Sequence, residues 1–358
     1  MKVRFFFSFK KDNRKSMDIL GYLIFNGLKK FKNVKTSFFI PKIKFNFFLF
    51  NNINQMRFER FISYPLQVIR IRHADIAHII DHGYCHLFYF LNAKFKIITF
   101  NDLIPILFEK KLKINNFLLK FSLSFINKYD HIISISQQSK NDLIRYKKID
   151  PKKISVIYPP VEESIFNLKR INKLKIFKKY NLPPKPKKII VFDRVFYKNF
   201  EFSLKIFKKI LNLNENIILI KIGNFKDLTH EICHSKIHQL NPKSRIDMSE
   251  LYKSCDLLLF PSLYEGYGLP CIEAMKCGLP VVTSKNGSLK EIIHKKNYFN
   301  LKDEKIIISH IYKLFSNKKF FEMNKKISIQ QSKKFREKDY YLNIFKLYKK
   351  IINKDKLI

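Results

Sequence analysis

Phe260-Pro-Ser-Leu-Tyr-Glu265-Gly-Tyr-Gly-Leu-Pro270-Cys-Ile-Glu273-Ala-Met-Lys-Cys-Gly278-Leu-Pro-Val-Val282 is the stretch on which the fold turns. It reads as a buried strand ending at Phe260, a loop holding Gly266 and Gly268, a helix, and a second strand. Pro270 sits just inside the helix start and Gly278 just past its end, the usual asymmetry of the two residues. The first turn, near Leu269 and Pro270, then aims its N–H groups at the carboxyl end of a strand, where an anion is readily held. The chain has only eight glycines, and four of them (Gly266, Gly268, Gly278 and Gly287) fall within residues 266–287. Such clustering marks backbone that turns tightly or meets a ligand closely, although an ordinary turn explains Gly266 and Gly268 equally well. Glu265 is expected in the loop and Glu273 in the first helical turn, where both can accept hydrogen bonds from paired hydroxyls. A first-turn acid complementing the helix dipole is an equal reading of Glu273.

Working outward, short apolar runs alternate with amphipathic stretches. Strands are expected at 3–7, 37–40, 76–80, 96–100, 131–136 and 155–158, with helical patterns at 116–127 and 138–146. The proline cluster at 181–186 interrupts, and the alternation restarts with strands at 188–192, 217–222, 256–260 and 281–284 and a helix at 200–211. Repeated strand–helix–strand patterning argues for parallel sheets covered on both faces. The expected domains are therefore an α/β doubly wound unit over 1–165, a second over 166–335, and a final helix within 336–358 that either packs back on the first unit or simply closes the chain. A chain of 358 residues suits two cores. In such sheets ligands bind at the carboxyl ends of strands, and two such units are expected to face each other across a cleft.

The quoted stretch resembles the E-x(7)-E signature of the retaining glycosyltransferases of group 1, family 4, whose fold is the two-domain GT-B architecture. It departs from their pattern mildly, at Tyr267 and Lys276. The resemblance implies that Glu273 binds the ribose hydroxyls of a nucleotide, that Glu265 contacts the donor sugar, and that the amides around Gly266, Tyr267, Gly268, Leu269 and Pro270 hold the diphosphate. Val191-Phe-Asp-Arg194-Val-Phe-Tyr-Lys198-Asn199 resembles the family's v-G-R-x-x-x-K-N turn. Arg194 and Lys198 would there meet the charge that develops on the leaving diphosphate, and Asp193 stands where the family carries Gly. Thr99-Phe-Asn101-Asp102-Leu-Ile-Pro105 resembles T-x-H-D-x-x-P, with Asn101 in place of His. Asp102 either takes part in catalysis or only orders its loop. The 133–139 element resembles i-x-x-S-x-x-s, and Ser136 suits a helix N-cap. His82, following a strand, lies at an expected site edge, although a lone histidine is more often structural. No glycine-rich loop is evident near the amino terminus, although Lys10, Lys11, Arg14 and Lys15 could meet an acceptor phosphate.

Composition narrows the partners. Seventy Lys and Arg against 29 Asp and Glu give a net charge of +41, which favours anionic surfaces. The excess is spread along the chain and accompanied by abundant Asn, Ile and Phe, so compositional drift explains it as well as a selected surface does. No recognition motif accompanies the charge, which argues against nucleic acid as partner. The aromatic-basic stretches 42–50 and 57–61 suit either an anionic membrane surface or an ordinary core. Five cysteines without a C-x-x-C pair point away from disulfides and zinc and toward a cytoplasmic chain, with no metal and no cofactor. No apolar run approaches a membrane span of about 18 residues, and residues 1–9 lack the features of a signal peptide.

The expected reaction is transfer of a hexose from a nucleoside-diphosphate sugar, GDP-mannose favoured, to a glycan or lipid-linked acceptor in envelope polysaccharide synthesis. The resemblance implies retention of configuration by a metal-independent, front-face path. The competing reading is a catalytically impaired relative that binds sugar nucleotide or a partner protein, motivated by Asn101 and Asp193.

Overall fold

The structure is a computed structural model and describes residues 1–12, 14–43, 52–112, 116–223 and 234–354. The chain forms two compact units, one made of Met1–Pro159 with Glu337–Ile358 and the other of Pro160–Arg336.

The first unit holds a six-stranded sheet of β1 (Lys2–Phe6), β2 (Lys35–Phe39), β3 (Ala74–Ile79), β4 (Ala93–Phe100), β5 (His131–Ser134) and β6 (Ile154–Val156). Every pairing is parallel, in the order β2-β1-β3-β4-β5-β6. The order in which the chain lays down its strands reverses between β1 and β3. Phe6, Ala77, Ile79, Ile98 and Ile132 enter a core with Tyr64, Leu87 and Tyr129. The expected strands all form, with ends within three residues of the expected bounds.

The 337–354 helix, Glu337–Lys354, belongs to this unit although it follows the second in sequence. Phe345 stacks on Phe31 with ring centroids 4.3 Å apart. Tyr348 is fully buried and its hydroxyl lies 2.6 Å from Nδ1 of His78 on β3, whose Nε2 lies 2.8 Å from Thr99 Oγ1. Gly27, on the Lys15–Leu28 helix, lies so close beneath Tyr341 that a Cβ would fall 2.2 Å from its ring.

The second unit holds β7 (Lys187–Asp193), β8 (Ile217–Gly223), β9 (Ile237–Leu240), β10 (Leu257–Phe260), β11 (Val281–Ser284) and β12 (Tyr298–Phe299). All pairings are again parallel, in the order β12-β11-β10-β7-β8-β9, so the reversal falls between β7 and β10. The central strands are continuous apolar runs because helices cover both faces. The Phe200–Leu211 helix buries Leu204, Phe207 and Ile210 at helical spacing, as its pattern predicts. Strands β9 and β12 were not expected. The first is an edge strand carrying His238 and Gln239, and the second has two residues, so neither offers an apolar run to read. No helix among the described residues is long and apolar enough to cross a membrane.

Candidate active site

In the second unit the chain leaves β7 and β10 side by side at the reversal point, where doubly wound sheets take their ligands. Residues 194–199 follow β7, and residues 261–268 follow β10. The two loops are laced together. The Leu263 N–H donates to the Tyr197 carbonyl at 2.8 Å, and Asn199 Nδ2 donates to the Pro261 carbonyl at 3.2 Å. Asn199 adopts a left-handed conformation (φ 58°) and so turns the loop into the Phe200–Leu211 helix. Asparagine tolerates that region better than most residues.

Lys198 Nζ donates to Glu265 Oε1 at 2.6 Å, with both side chains largely buried. The ammonium also lies 4.6 Å from the centre of the Phe260 ring. A charge pair this close and this dry is held in place by its surroundings. The Ser288 N–H donates to the Glu265 carbonyl at 3.2 Å, and its hydroxyl donates to the Tyr267 backbone carbonyl at 2.8 Å. Gly287, at φ 57°, comes so near that a Cβ would meet the Glu265 carbonyl oxygen at 2.6 Å. Gly266 and Tyr267 are buried, with the Tyr267 ring edge-on to Phe335. Gly268 is the N-cap of the Leu269–Lys276 helix at φ 96°, and no side chain caps that end. Leu269 and Pro270 form the half-buried first turn.

The helix begins at Leu269 as expected, but Glu273 is four residues further on and so lies in its second turn, not the first. A role as a first-turn acid against the dipole is thereby removed. Arg245 Nη2 donates to Glu273 Oε1 and the Tyr252 hydroxyl to Oε2, both at 3.4 Å. Burial pushes the Glu273 carboxyl up to about 7 against the opposing pull of Arg245, Tyr252 and Arg194. Arg245 also pairs with Glu162. Sequence reasoning missed Arg245. Its only signal was its place at the start of the Arg245–Ser254 helix, which Ser244 and Asp247 close with a capping box.

Arg194 is exposed at the end of β7, and its charge reaches Glu273. The Asp193 backbone is not left-handed, so that position needs no glycine. The buried Lys221 ammonium lies 2.9 Å from the Asp193 carboxylate and balances it. Gly223 (φ 129°) supplies the close approach instead, since a Cβ there would meet the Asp193 carbonyl oxygen at 2.4 Å.

The other three expected residues gather in the first unit, at the ends of β3 and β4. The Asn101 N–H donates to Nδ1 of buried His82 at 3.3 Å, which leaves the ring proton to Nε2. Burial lowers His82 to about 4. Asp81 beside it is buried, yet Arg14, His82 and Arg60 outweigh that burial and keep its carboxyl below the ordinary range. Arg14 Nε lies 3.6 Å from Asp81, so that guanidinium is turned to its own unit. Asp102 Oδ1 accepts the Ile104 N–H at 2.9 Å and orders its loop. Ser136 caps its helix by accepting the Ser139 N–H at 3.0 Å. Cys85, Cys255, Cys271 and Cys277 are buried free thiols, while Cys233 and residues 44–50 of the aromatic-basic stretch lie outside the described residues.

Two family models match successive parts of the chain: Glycosyltransferase Family 4 over residues 34–164 and Glycosyl transferases group 1 over 172–334. Among similar proteins, an uncharacterised glycosyltransferase of Methanocaldococcus jannaschii is 28% identical over 49% of this chain and 48% of its own length. The O-antigen chain mannosyltransferase RfbU of Salmonella typhimurium is 29% identical over 53% of this chain and 51% of its own. The serotype-specific mannosyltransferase WbdA of Escherichia coli is 39% identical over 25% of this chain and 11% of its own. The chain thus spans about half or less of the length of these relatives. Solved structures share the fold at low identity. Anabaena HepE, in complex with UDP and glucose, superimposes with a TM-score of 0.76 at 14% identity, covering 98% of this chain and 100% of that one. Sucrose-phosphate synthase from Thermosynechococcus elongatus does so with a TM-score of 0.77 at 13% identity, over 99% and 100%.

Proposed function

We propose that this chain is a group 1 and family 4 glycosyltransferase of GT-B type that moves a hexose, with retention, from a nucleoside-diphosphate sugar to a glycan or lipid-linked acceptor in envelope polysaccharide synthesis. The observation that carries the reading is the buried Lys198–Glu265 pair, set at the reversal point of the second sheet beside an uncapped helix end. In this reading the second unit takes the donor. Glu273 accepts the ribose hydroxyls, the amides of 266–269 and the helix end hold the diphosphate, and Asn199 fixes the loop between them. Lys198 and Arg194 meet the negative charge that grows on the departing phosphate as the glycosidic bond breaks. Such preorganised charge is the largest single contribution in many enzymes. Because the cations are side chains, the step needs no metal.

Glu265 orients Lys198 and contacts the sugar, and the leaving phosphate itself accepts the acceptor's proton. The first unit takes the acceptor, with Asp102 shaping the loop near the reacting hydroxyl. His82 lies within hydrogen-bond reach of Asn101, so an imidazole remains beside the position where the family carries one. Mannose carried on GDP is the favoured donor, on the strength of the mannosyltransferases among the relatives. Work at the cytoplasmic face of an anionic membrane is part of the same reading, and the free thiols suit that reducing compartment.

The test is turnover of UDP-, GDP-, ADP- and dTDP-sugars with purified protein and lipid-linked acceptors. Lys198→Ala is expected to cost about 10²–10³ in kcat, with Glu273→Ala acting mainly on donor KM. A folded protein that binds none of the donors would end the proposal.

A further inference from the structure

The first unit carries an aromatic face that its core leaves partly exposed, with Phe125 packed against that core and Phe61 stacked on buried His86. Phe117 and Phe121 lie four residues apart on the Phe117–Leu123 helix, hence on one side of it. Phe117 is 69% exposed and Phe121 is exposed as well. Ring contacts continue the face. Phe121 lies 6.1 Å from Phe61 and 5.3 Å from Phe125, and Phe125 lies 6.0 Å from Tyr89, itself 62% exposed. Phe61 and Phe117 also line an open cavity of about 300 Å³ with Arg57 and Leu118. On the helical run that carries Phe61, the residues Ile62, Leu66 and Ile69 are exposed as well. Contiguous apolar surface on this scale marks an interaction site.

The charge around it has one sign. Residues 52–73 contain a single acid, Glu59, which is completely buried, and residues 103–129 contain a single acid, Glu109, which receives Lys120 at 2.7 Å. Arg57, Lys110, Lys111 and Lys128 lie in the same two segments, and Glu109 ties the helix bearing Lys110 and Lys111 to Phe117–Leu123 through the Asn116 N–H. Exposed aromatic rings among cations, with no uncompensated acid, complement a layer of acidic headgroups over hydrocarbon.

We propose that the face formed by Phe61, Phe117, Phe121, Phe125 and Tyr89, rimmed by Arg57, Lys110 and Lys111, docks the chain on an anionic lipid bilayer. The rings enter the interface and the cations meet the headgroups, with no helix crossing. The inference deepens the membrane part of the proposed function and rests on it, whereas the donor reading stands apart.

The test is co-sedimentation with vesicles of phosphatidylcholine alone and of an equal mixture with phosphatidylglycerol. A chain of net charge +41 gains about fivefold in affinity for each cation near an acidic surface. Charge alone therefore produces some binding, and the informative variant keeps every charge. Phe117→Ser/Phe121→Ser is expected to weaken binding to the mixed vesicles about tenfold or more, and to abolish the part that survives raised salt. Ile306→Ser/Tyr312→Ser, which removes exposed apolar residues of the second unit, is expected to leave binding unchanged. Nucleotide-sugar hydrolysis without lipid, measured alongside, reports folding and the donor site separately. The proposal is overturned if the aromatic pair can be removed without loss of vesicle binding, if the second-unit control weakens binding equally, or if the pair governs self-association instead.

Discussion

At the scale of single residues the two carboxylates of the candidate site differ in what holds them. Glu265 has a buried ammonium at 2.6 Å, while Glu273 has only long contacts to Arg245 and Tyr252 and titrates at about 7. If Glu273 receives ribose hydroxyls, the ligand selects its ionised form. Nucleotide affinity should then rise about tenfold per pH unit from about pH 5 and level off above about pH 7. Calorimetric titrations across that range check this. Glu273→Gln should bind weakly and without the slope, and Arg245→Ala should move the inflection upward, because the opposing charge is gone. Both glutamates were legible in the sequence from their spacing around two glycines. Arg245 was not, since its distance of 28 residues from Glu273 becomes a contact only when two helices pack. Asp193 shows the reverse. Its departure from the family pattern looked disruptive in the sequence, yet the buried Lys221 that balances it sits on a neighbouring strand.

At the scale of elements the central strands and the Phe200–Leu211 helix were readable because burial writes itself as apolar runs and helical spacing. The helix entry at Leu269 was readable as well, from Pro270 just inside it. The edge strands were not, because register at an edge is set by backbone pairing, which no periodicity reports. The Lys15–Leu28 helix packs its Gly27 directly on Tyr341 of the 337–354 helix. Gly27→Ala should therefore destabilise the first unit by about 1–3 kcal/mol despite alanine's better helix propensity, because the added methyl forces the ring out of place. Denaturant unfolding followed by tyrosine fluorescence measures it. An unchanged midpoint would mean that the two helices separate readily.

For the whole molecule the buried rings set the response to acid. His78 is lowered to about 3 and His82, His86 and His310 to about 4, each chiefly by burial. Unfolded, they protonate near about 6.5. Between those values the unfolded chain holds more protons, so stability is lost as pH falls through the window. Asp18, raised to about 6, and Glu273 act oppositely, but the four rings outnumber the two carboxyls. Melting temperature should accordingly fall between about pH 6.5 and pH 4.5, and a flat profile would contradict the buried neutral rings. The placement of the 337–354 helix has a consequence of another kind, in the order of synthesis. The second unit is one uninterrupted stretch, 160–336, and can complete itself as soon as that stretch has left the ribosome. The first unit emerges earlier yet waits, its Gly27 groove open and His78 without its tyrosine, until the residues translated after the second unit arrive to close it. The unit made first is thus the last to be finished, and a stalled or shortened translation product would expose that unfinished surface to chaperones and proteases.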